Sequence, residues 1–164
     1  MALKQATLIL GVGNFLMGDE GIGVHVVNHL HADALPGNTV LLDGGTGGFH
    51  LLEYFENYSH VIIIDATLDN NPPGTIRLIK PRFAKDFPPA MSTHDIGLKD
   101  MVSALQLLDK MPDIDLFVVS IATIQQQGIE LTEAVKQAVP HVIHQINKLL
   151  ERRYKKESVL IEEA

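Results

Sequence analysis

The sequence predicts an α/β fold, a three-layer sandwich with helices on both faces of a mostly parallel sheet that carries one antiparallel strand. Three observations predict it. Short β-branched runs ended by glycine or acid alternate with stretches of helical apolar spacing, the order expected of strands joined by helical crossovers. The 164 residues suit one domain, since domains average about 150 residues. The turn Pro72-Pro73-Gly74 leaves too little chain for a helical crossover, so the strand after it pairs antiparallel.

The elements follow in order. Residues 7–12 are an uninterrupted apolar run ended by glycine, as a strand buried on both faces requires. Over residues 20–32, Ile22, Val26, Val27 and Leu30 recur at helical spacing. Residues 38–43 form a second strand closed by Gly44-Gly45, and residues 49–55 a short helix with Leu51, Leu52 and Phe55 on one side. Val61-Ile62-Ile63-Ile64 places four β-branched residues in a row, and the strand runs to Asp65. Residues 75–80 are the antiparallel strand, and residues 82–91, with Pro88 and Pro89, are irregular. A helix over 95–108, a strand over 116–122 and a long helix over 132–155 complete the series. Pro140 should kink or split the last helix, because proline removes a helical N–H and clashes with the preceding turn. Residues 1–156 make the domain, and the acidic residues 157–164 a frayed tail.

Composition removes several classes of function. With no cysteine, disulfides, thiolate metal sites, iron–sulfur clusters and cysteine nucleophiles are all excluded. A net charge of −7 argues against a nucleic-acid partner. No apolar run reaches the ~18 residues of a membrane helix, and the apolar stretch 7–17 is interrupted by Gly11, Gly13 and Asn14, unlike a signal peptide. The expectation is a soluble, cytoplasmic protein with no membrane insertion, monomeric by default.

Several residues are chemically suggestive. Gly11-Val12-Gly13-Asn14 follows a strand, but Leu16 stands where a dinucleotide fingerprint needs its third glycine. Asp19 and Glu20 lie between glycines at a helix start. Asp19 suits an N-cap, whereas glycines on both sides of Glu20 indicate close approach to the backbone. Asp65 ends the strongest strand, where open α/β sheets bind ligands, though such an acid can also order its own loop. Asp43 ends the second strand before Gly44-Gly45-Thr46-Gly47-Gly48, a stretch that can lie against an extended peptide or simply turn. His94, in Ser92-Thr93-His94-Asp95, can bond locally within a helix start or serve as a neutral ligand there. His25 and His29 share a helical face opposite Ile22, Val26 and Leu30, which reads as exposed. His141 and His144 have no nearby acid pattern. Neither His-Glu-x-x-His nor Gly-x-Ser-x-Gly occurs, so a conventional zinc protease and a serine hydrolase lack support.

Five blocks in register resemble the nickel–iron hydrogenase maturation endopeptidases. They are Gly11-Val12-Gly13-Asn14 with Asp19-Glu20-Gly21-x-Gly23, Asp43-Gly44-Gly45-Thr46-Gly47, Val61-Ile62-Ile63-Ile64-Asp65-Ala66, Pro73-Gly74-Thr75, and Ser92-Thr93-His94-x-x-Gly97-Leu98. The resemblance spans about residues 7–150. It implies a five-stranded twisted sheet and a protease that removes a C-terminal extension from a hydrogenase large-subunit precursor after nickel insertion. It places the metal-contacting residues at Glu20, Asp65 and His94, with the nickel supplied by the substrate. Asp43 is then the candidate for activating water or holding the peptide, Asp19 a second candidate, and Gly44, Gly45 and Thr46 the candidate peptide-binding residues. Two other readings remain at this stage: a nickel-binding checkpoint protein of hydrogenase assembly that does not cut, and a nucleotide-dependent enzyme built on Gly11-Val12-Gly13.

Overall fold

Alternation along the central strands builds two hydrophobic layers from one sheet. In β1 (Thr7–Val12), Leu8 and Leu10 face one layer and Ile9 the other. In β3 (His60–Thr67), Val61 and Ile63 join the first layer, and Ile62 and Ile64 the second. Both strands are buried along their whole length, which explains their continuous rather than alternating apolar sequence.

The computed structural model describes residues 6–46, 49–88, 91, 98–123 and 127–163. A 3-10 turn (Gly18–Gly21) leads into α1 (Ile22–His29), and β2 (Thr39–Gly45) and α2 (Leu52–Asn57) precede β3. After β3 come β4 (Ile76–Ile79), α3 (Leu98–Leu107), β5 (Asp113–Ser120) and α4 (Glu133–Glu163). The sheet order is β2-β1-β3-β5-β4, with β4 alone antiparallel. Ile22 and Val26 of α1 and Val135, Val142 and Ile146 of α4 cover one face. Phe55 of α2 and Met101 and Leu105 of α3 cover the other.

The chain leaves β1 first toward β2 and then returns to place β3 on β1's other side. The C-terminal ends of β1 and β3 therefore bound the crevice where open α/β sheets bind ligands. β1 and β3 pair in parallel from Thr7 opposite His60 to Gly11 opposite Ile64. On the other side of β1 the register slips: Gly11 faces Asp43 but Val12 faces Gly45, so Gly44 is an extra residue.

Several boundaries differ from the sequence expectation. β5 begins at Asp113 rather than 116, because the buried Asp115 has strong partners: His60 Nε2 lies 2.7 Å from its carboxylate and Lys80 Nζ 2.8 Å. Burial opposes ionisation of Asp115, but hydrogen bonds from His60 and Lys80 hold its carboxyl below the usual range. β2 and β3 each continue two residues beyond their expected ends, so Asp43 and Asp65 lie inside the strands. The helix expected over 20–32 is the 3-10 turn followed by the shorter α1. Pro140 does not split α4. It is exposed, so the Lys136 carbonyl left without a helical donor is on the solvent side, while Val135, Ala138, Val139, Val142 and Ile146 anchor the helix on both sides of it. The helix also continues to Glu163, through the stretch expected to fray. Among the described residues, no helix is long and apolar enough to cross a membrane.

Candidate functional site

Gly13, just beyond β1, is the meeting point of three candidate segments. Its φ of +130° suits glycine, and its N–H donates to the Gly45 carbonyl at 2.7 Å, tying it to the end of β2. A Cβ built on Gly13 would stand 2.0 Å from the Glu20 carbonyl oxygen and 3.5 Å from Asp65 Oδ1. The Glu20 backbone and the Asp65 carboxylate therefore close on the same α-carbon, and only glycine fits between them. Glu20 is 1% exposed and Asp65 fully buried. Carboxylates so deeply buried occur in proteins when they are paired, hydrogen-bonded or bound to metal. Asp65 Oδ1 accepts the Ala66 N–H at 2.7 Å.

The neighbouring glycines let α1 pack directly on the strands. A Cβ on Gly23 would meet the Ile64 carbonyl at 2.1 Å, and one on Gly11 the Gly23 carbonyl at 2.2 Å. The close approach anticipated around Glu20 is thus made by the chain's own backbone.

Asp19 does not cap the turn it belongs to. Its Oδ1 accepts the Thr132 N–H at 2.8 Å and its Oδ2 the Thr132 hydroxyl at 2.7 Å. The Thr132 carbonyl in turn accepts the Lys136 N–H, at 2.8 Å, at the start of α4. The buried Asp19 charge therefore sits at the positive end of α4. Two more bonds fix the same neighbourhood, Gly18 N–H to the Gly128 carbonyl at 2.7 Å and Gly128 N–H to the Leu16 carbonyl at 2.8 Å. Together they staple the strap 127–132 to the loop carrying Glu20. Sequence reasoning missed this role of Thr132, whose partner lies 113 positions away.

His25 departs from the expected exposure. Its ring is half-buried, with its centroid 4.8 Å from that of Phe15, whereas His29 is exposed and donates from Nδ1 to the His25 carbonyl at 2.7 Å. Burial lowers the His25 pKa, opposed by the Ile129 carbonyl and the Asp19 charge.

Asp43 is exposed, and its Oδ1 accepts the Gly45 N–H at 2.9 Å, which orders the loop containing Gly44, Gly45 and Thr46. Gly44 is buried and Thr46 exposed. The expected third metal contact, His94, lies outside the described residues, as do Gly47, Gly48 and residues 124–126. Among the described residues no three metal-ligating side chains cluster.

Among the described residues, two cavities that flank the sheet bear on the site. One of about 460 Å3, lined by Thr67, Leu68, Arg77 and Phe87, adjoins the end of β3 two residues beyond Asp65. Beside it the Arg77 guanidinium donates to Asp69 at 2.9 Å. Burial works against the Asp69 charge, but hydrogen bonds from Asn71 and Ser120 and the Arg77 charge hold its carboxyl below the usual range. The larger cavity, about 680 Å3, lies at the opposite end of the strands between Asp115 and α4, and holds none of the candidate residues.

A model of the hydrogenase maturation protease family matches residues 24–149. The chain belongs to that family. It is 36% identical over 142 residues to the hydrogenase 2 maturation protease of Escherichia coli, covering 85% of this chain and 87% of that protein. To the hydrogenase expression/formation protein HupD of Bradyrhizobium diazoefficiens it is 40% identical over 112 residues, 64% of this chain and 56% of the longer HupD. The fold superposes on the hydrogenase maturating endopeptidase HybD from E. coli with a TM-score of 0.80 at 33% identity, covering 90% of this chain and 93% of HybD. For the [NiFe] hydrogenase maturation protease HybD from Thermococcus kodakarensis the TM-score is 0.73 at 26% identity, over 88% of this chain and 99% of that one. In this hydrogenase maturation protease family member, the backbone of the buried Glu20 and the carboxylate of the buried Asp65 meet at one glycine at the switch point of the sheet.

Proposed function

We propose that this chain is the endopeptidase that removes the C-terminal extension of a nickel–iron hydrogenase large-subunit precursor, using the precursor's nickel as its recognition signal. The observation that supports this reading is the convergence of Glu20, Asp65 and the end of β2 on Gly13. In this reading Glu20, Asp65 and His94 contact the nickel that the precursor brings. Carboxylate and imidazole donors suit such a borderline metal. Gripping the metal fixes the register of the attached peptide, which turns an encounter between two proteins into a positioned reaction.

The chemical step is hydrolysis. Water adds to the scissile carbonyl carbon, the C–N bond breaks, and the departing peptide amine takes up a proton. Asp43 is our candidate for accepting the proton of the attacking water. Its Oδ1 is engaged by the Gly45 N–H, and its carboxylate retains further acceptor capacity. In this reading the extended peptide lies along the segment of Gly44, Gly45 and Thr46, where Gly44 is buried, the Gly45 N–H and carbonyl are engaged by Asp43 and Gly13, and Thr46 is the exposed member.

The test is the intact mass of a nickel-loaded large-subunit precursor before and after incubation with this protein. A nickel-free precursor and an Asp65→Ala enzyme are run alongside. Loss of one C-terminal peptide from the nickel-loaded sample alone, and none with Asp65→Ala, is the expected result. A nickel-dependent complex with no cleavage would overturn the protease reading in favour of a checkpoint protein.

A further inference from the structure

We infer that the larger cavity, between the second half of α4 and the edge of the sheet, is a docking groove for an acidic amphipathic helix of a partner polypeptide. It lies at the opposite end of the strands from Glu20 and Asp65, so the inference does not rest on the protease reading.

The groove exists because the helical layer stops short of the sheet edge. On this face α1 and α4 cover β1, β3 and β5, and at the outermost strand, β4, Ile76 still packs into the covered layer. Two residues on, Leu78 is 44% exposed, and Lys80 follows with its side chain 68% exposed. Leu78, the buried Phe117, and Leu149 and Leu160 of α4 form the apolar lining. Leu160 is itself 60% exposed. Along α4 the lining runs from His144 to Leu160, about 24 Å at a helix's rise per residue. That length suits a polypeptide segment better than a compact metabolite, and a helix laid in an apolar groove is a recurring mode of recognition.

The walls are cationic in an acidic chain. Of the 13 lysines and arginines in a molecule of net −7, five line this cavity: Lys80, Lys148, Arg152, Arg153 and Lys156. The two acids in the lining are answered by the chain itself. Asp113 pairs with Arg153 at 2.8 Å, and Asp115 with His60 at 2.7 Å and Lys80 at 2.8 Å. Lys148, Arg152 and Lys156 stand four residues apart, one above the other on one face of α4. The exposed Glu151 comes within 3.8 Å of Lys148, a solvent-facing contact of the kind that contributes little. Glu157 stands off the row of 148, 152 and 156, and Glu162 and Glu163 follow Leu160. Complementing the helix dipole does not account for these cations, since α4 runs on to Glu163 and its last turn holds no basic residue.

An acidic amphipathic helix answers both features. Its aliphatic side chains cover Leu78 and Leu160, and its carboxylates face the row on α4, which sets orientation and partner choice. Nucleic acid fits less well, because the exposed leucines offer its phosphates nothing and the chain's net charge repels it.

The experiment measures fluorescence anisotropy of a labelled synthetic peptide with the full chain. The peptide is a helix about 16 residues long, to match the groove, with leucines on one face and glutamates flanking them. One control peptide carries Lys for every Glu, and another Ala for every Leu. The variants are the triple Lys148→Glu/Arg152→Glu/Lys156→Glu, the milder Lys148→Gln/Lys156→Gln, and Lys99→Glu on α3 as control, each with its melting temperature recorded. Wild type should bind the acidic leucine peptide saturably. The triple variant should weaken binding about tenfold or more, the Gln variant less, and Lys99→Glu not at all. Raising salt from about 0.05 to 0.5 M should also weaken it. The Lys peptide should not bind, and the Ala peptide should bind about tenfold more weakly. No saturable binding to wild type, or equal affinity in the triple and Gln variants, would overturn the inference. Equal binding of the Ala peptide, or displacement by ATP or a single-stranded oligonucleotide at lower concentration than by unlabelled peptide, would replace the amphipathic helix with a bare polyanion. A wild-type dimer in sedimentation that the triple variant abolishes, with no peptide bound, would assign the groove to a second copy, and the inference would fall.

Discussion

At Asp43 one observed role, holding the Gly45 N–H, meets one proposed role in a single side chain, and a single substitution separates them. Asparagine keeps an oxygen that can accept the Gly45 N–H, so Asp43→Asn should fold and bind as wild type does. It cannot take a proton from water. If Asp43 is the base, single-turnover cleavage should fall by about 10²–10⁴-fold, and an unchanged rate would remove Asp43 from the chemistry. His25 supports a prediction of another kind. Its lowered folded-state pKa means that the unfolded chain takes up this proton first as pH falls. The stability it contributes is thus present above its unfolded pKa of 6.5 and lost as pH drops toward the folded value. Melting temperatures from about pH 7.5 down to 5.5 should decline more steeply for wild type than for His25→Asn. Parallel declines would assign the trend to other groups.

Among the elements, α4 depends most on a residue far from it in sequence. Removing the Asp19 carboxylate takes away the charged acceptor that holds the N–H and hydroxyl of the exposed Thr132 at the head of a 31-residue helix. Asp19→Ala should cost about 2 kcal/mol in denaturant unfolding, the scale of charge-assisted hydrogen bonds. If the role of Asp19 is to position α4, Asp19→Asn should cost less and cleave at close to the wild-type rate. A catalytic Asp19 would instead lose its rate in the Asn variant. Element identity was legible where apolar spacing was unbroken, as in Val61-Ile62-Ile63-Ile64. It was obscured where tertiary partners override local chemistry. Asp113 and Asp115 look like loop residues until His60 and Lys80 are placed against Asp115. The Gly44 bulge likewise hides in a glycine-rich stretch that reads simply as a turn.

For the whole molecule, the mostly parallel sheet and its single antiparallel strand followed from counting runs and measuring the chain between them, because crossover length constrains topology strongly, whereas the strand order β2-β1-β3-β5-β4 became visible only in the structure. The candidate site was legible as a set of acids and glycines, but its assembly at Gly13 was not, since nothing in a sequence states which backbone an absent Cβ makes room for. On the proposal that nickel arrives with the precursor, a chelator strong enough to strip it should stop cleavage and leave this protein's own melting temperature unchanged. A fall in that temperature would mean that the chain holds a metal of its own.

The staple between Asp19 and Thr132 also bears on how the molecule comes into being. During synthesis the amino-terminal half emerges first and can begin to condense while the remainder is still being made. The turn bearing Glu20, however, is closed by Thr132, which follows Asp19 by 113 positions along the chain. A nascent or prematurely terminated chain lacking that residue could form β1, α1 and β3 and still leave the Glu20 turn unlatched. Closure of that turn would then lag the condensation of the strands that precede it.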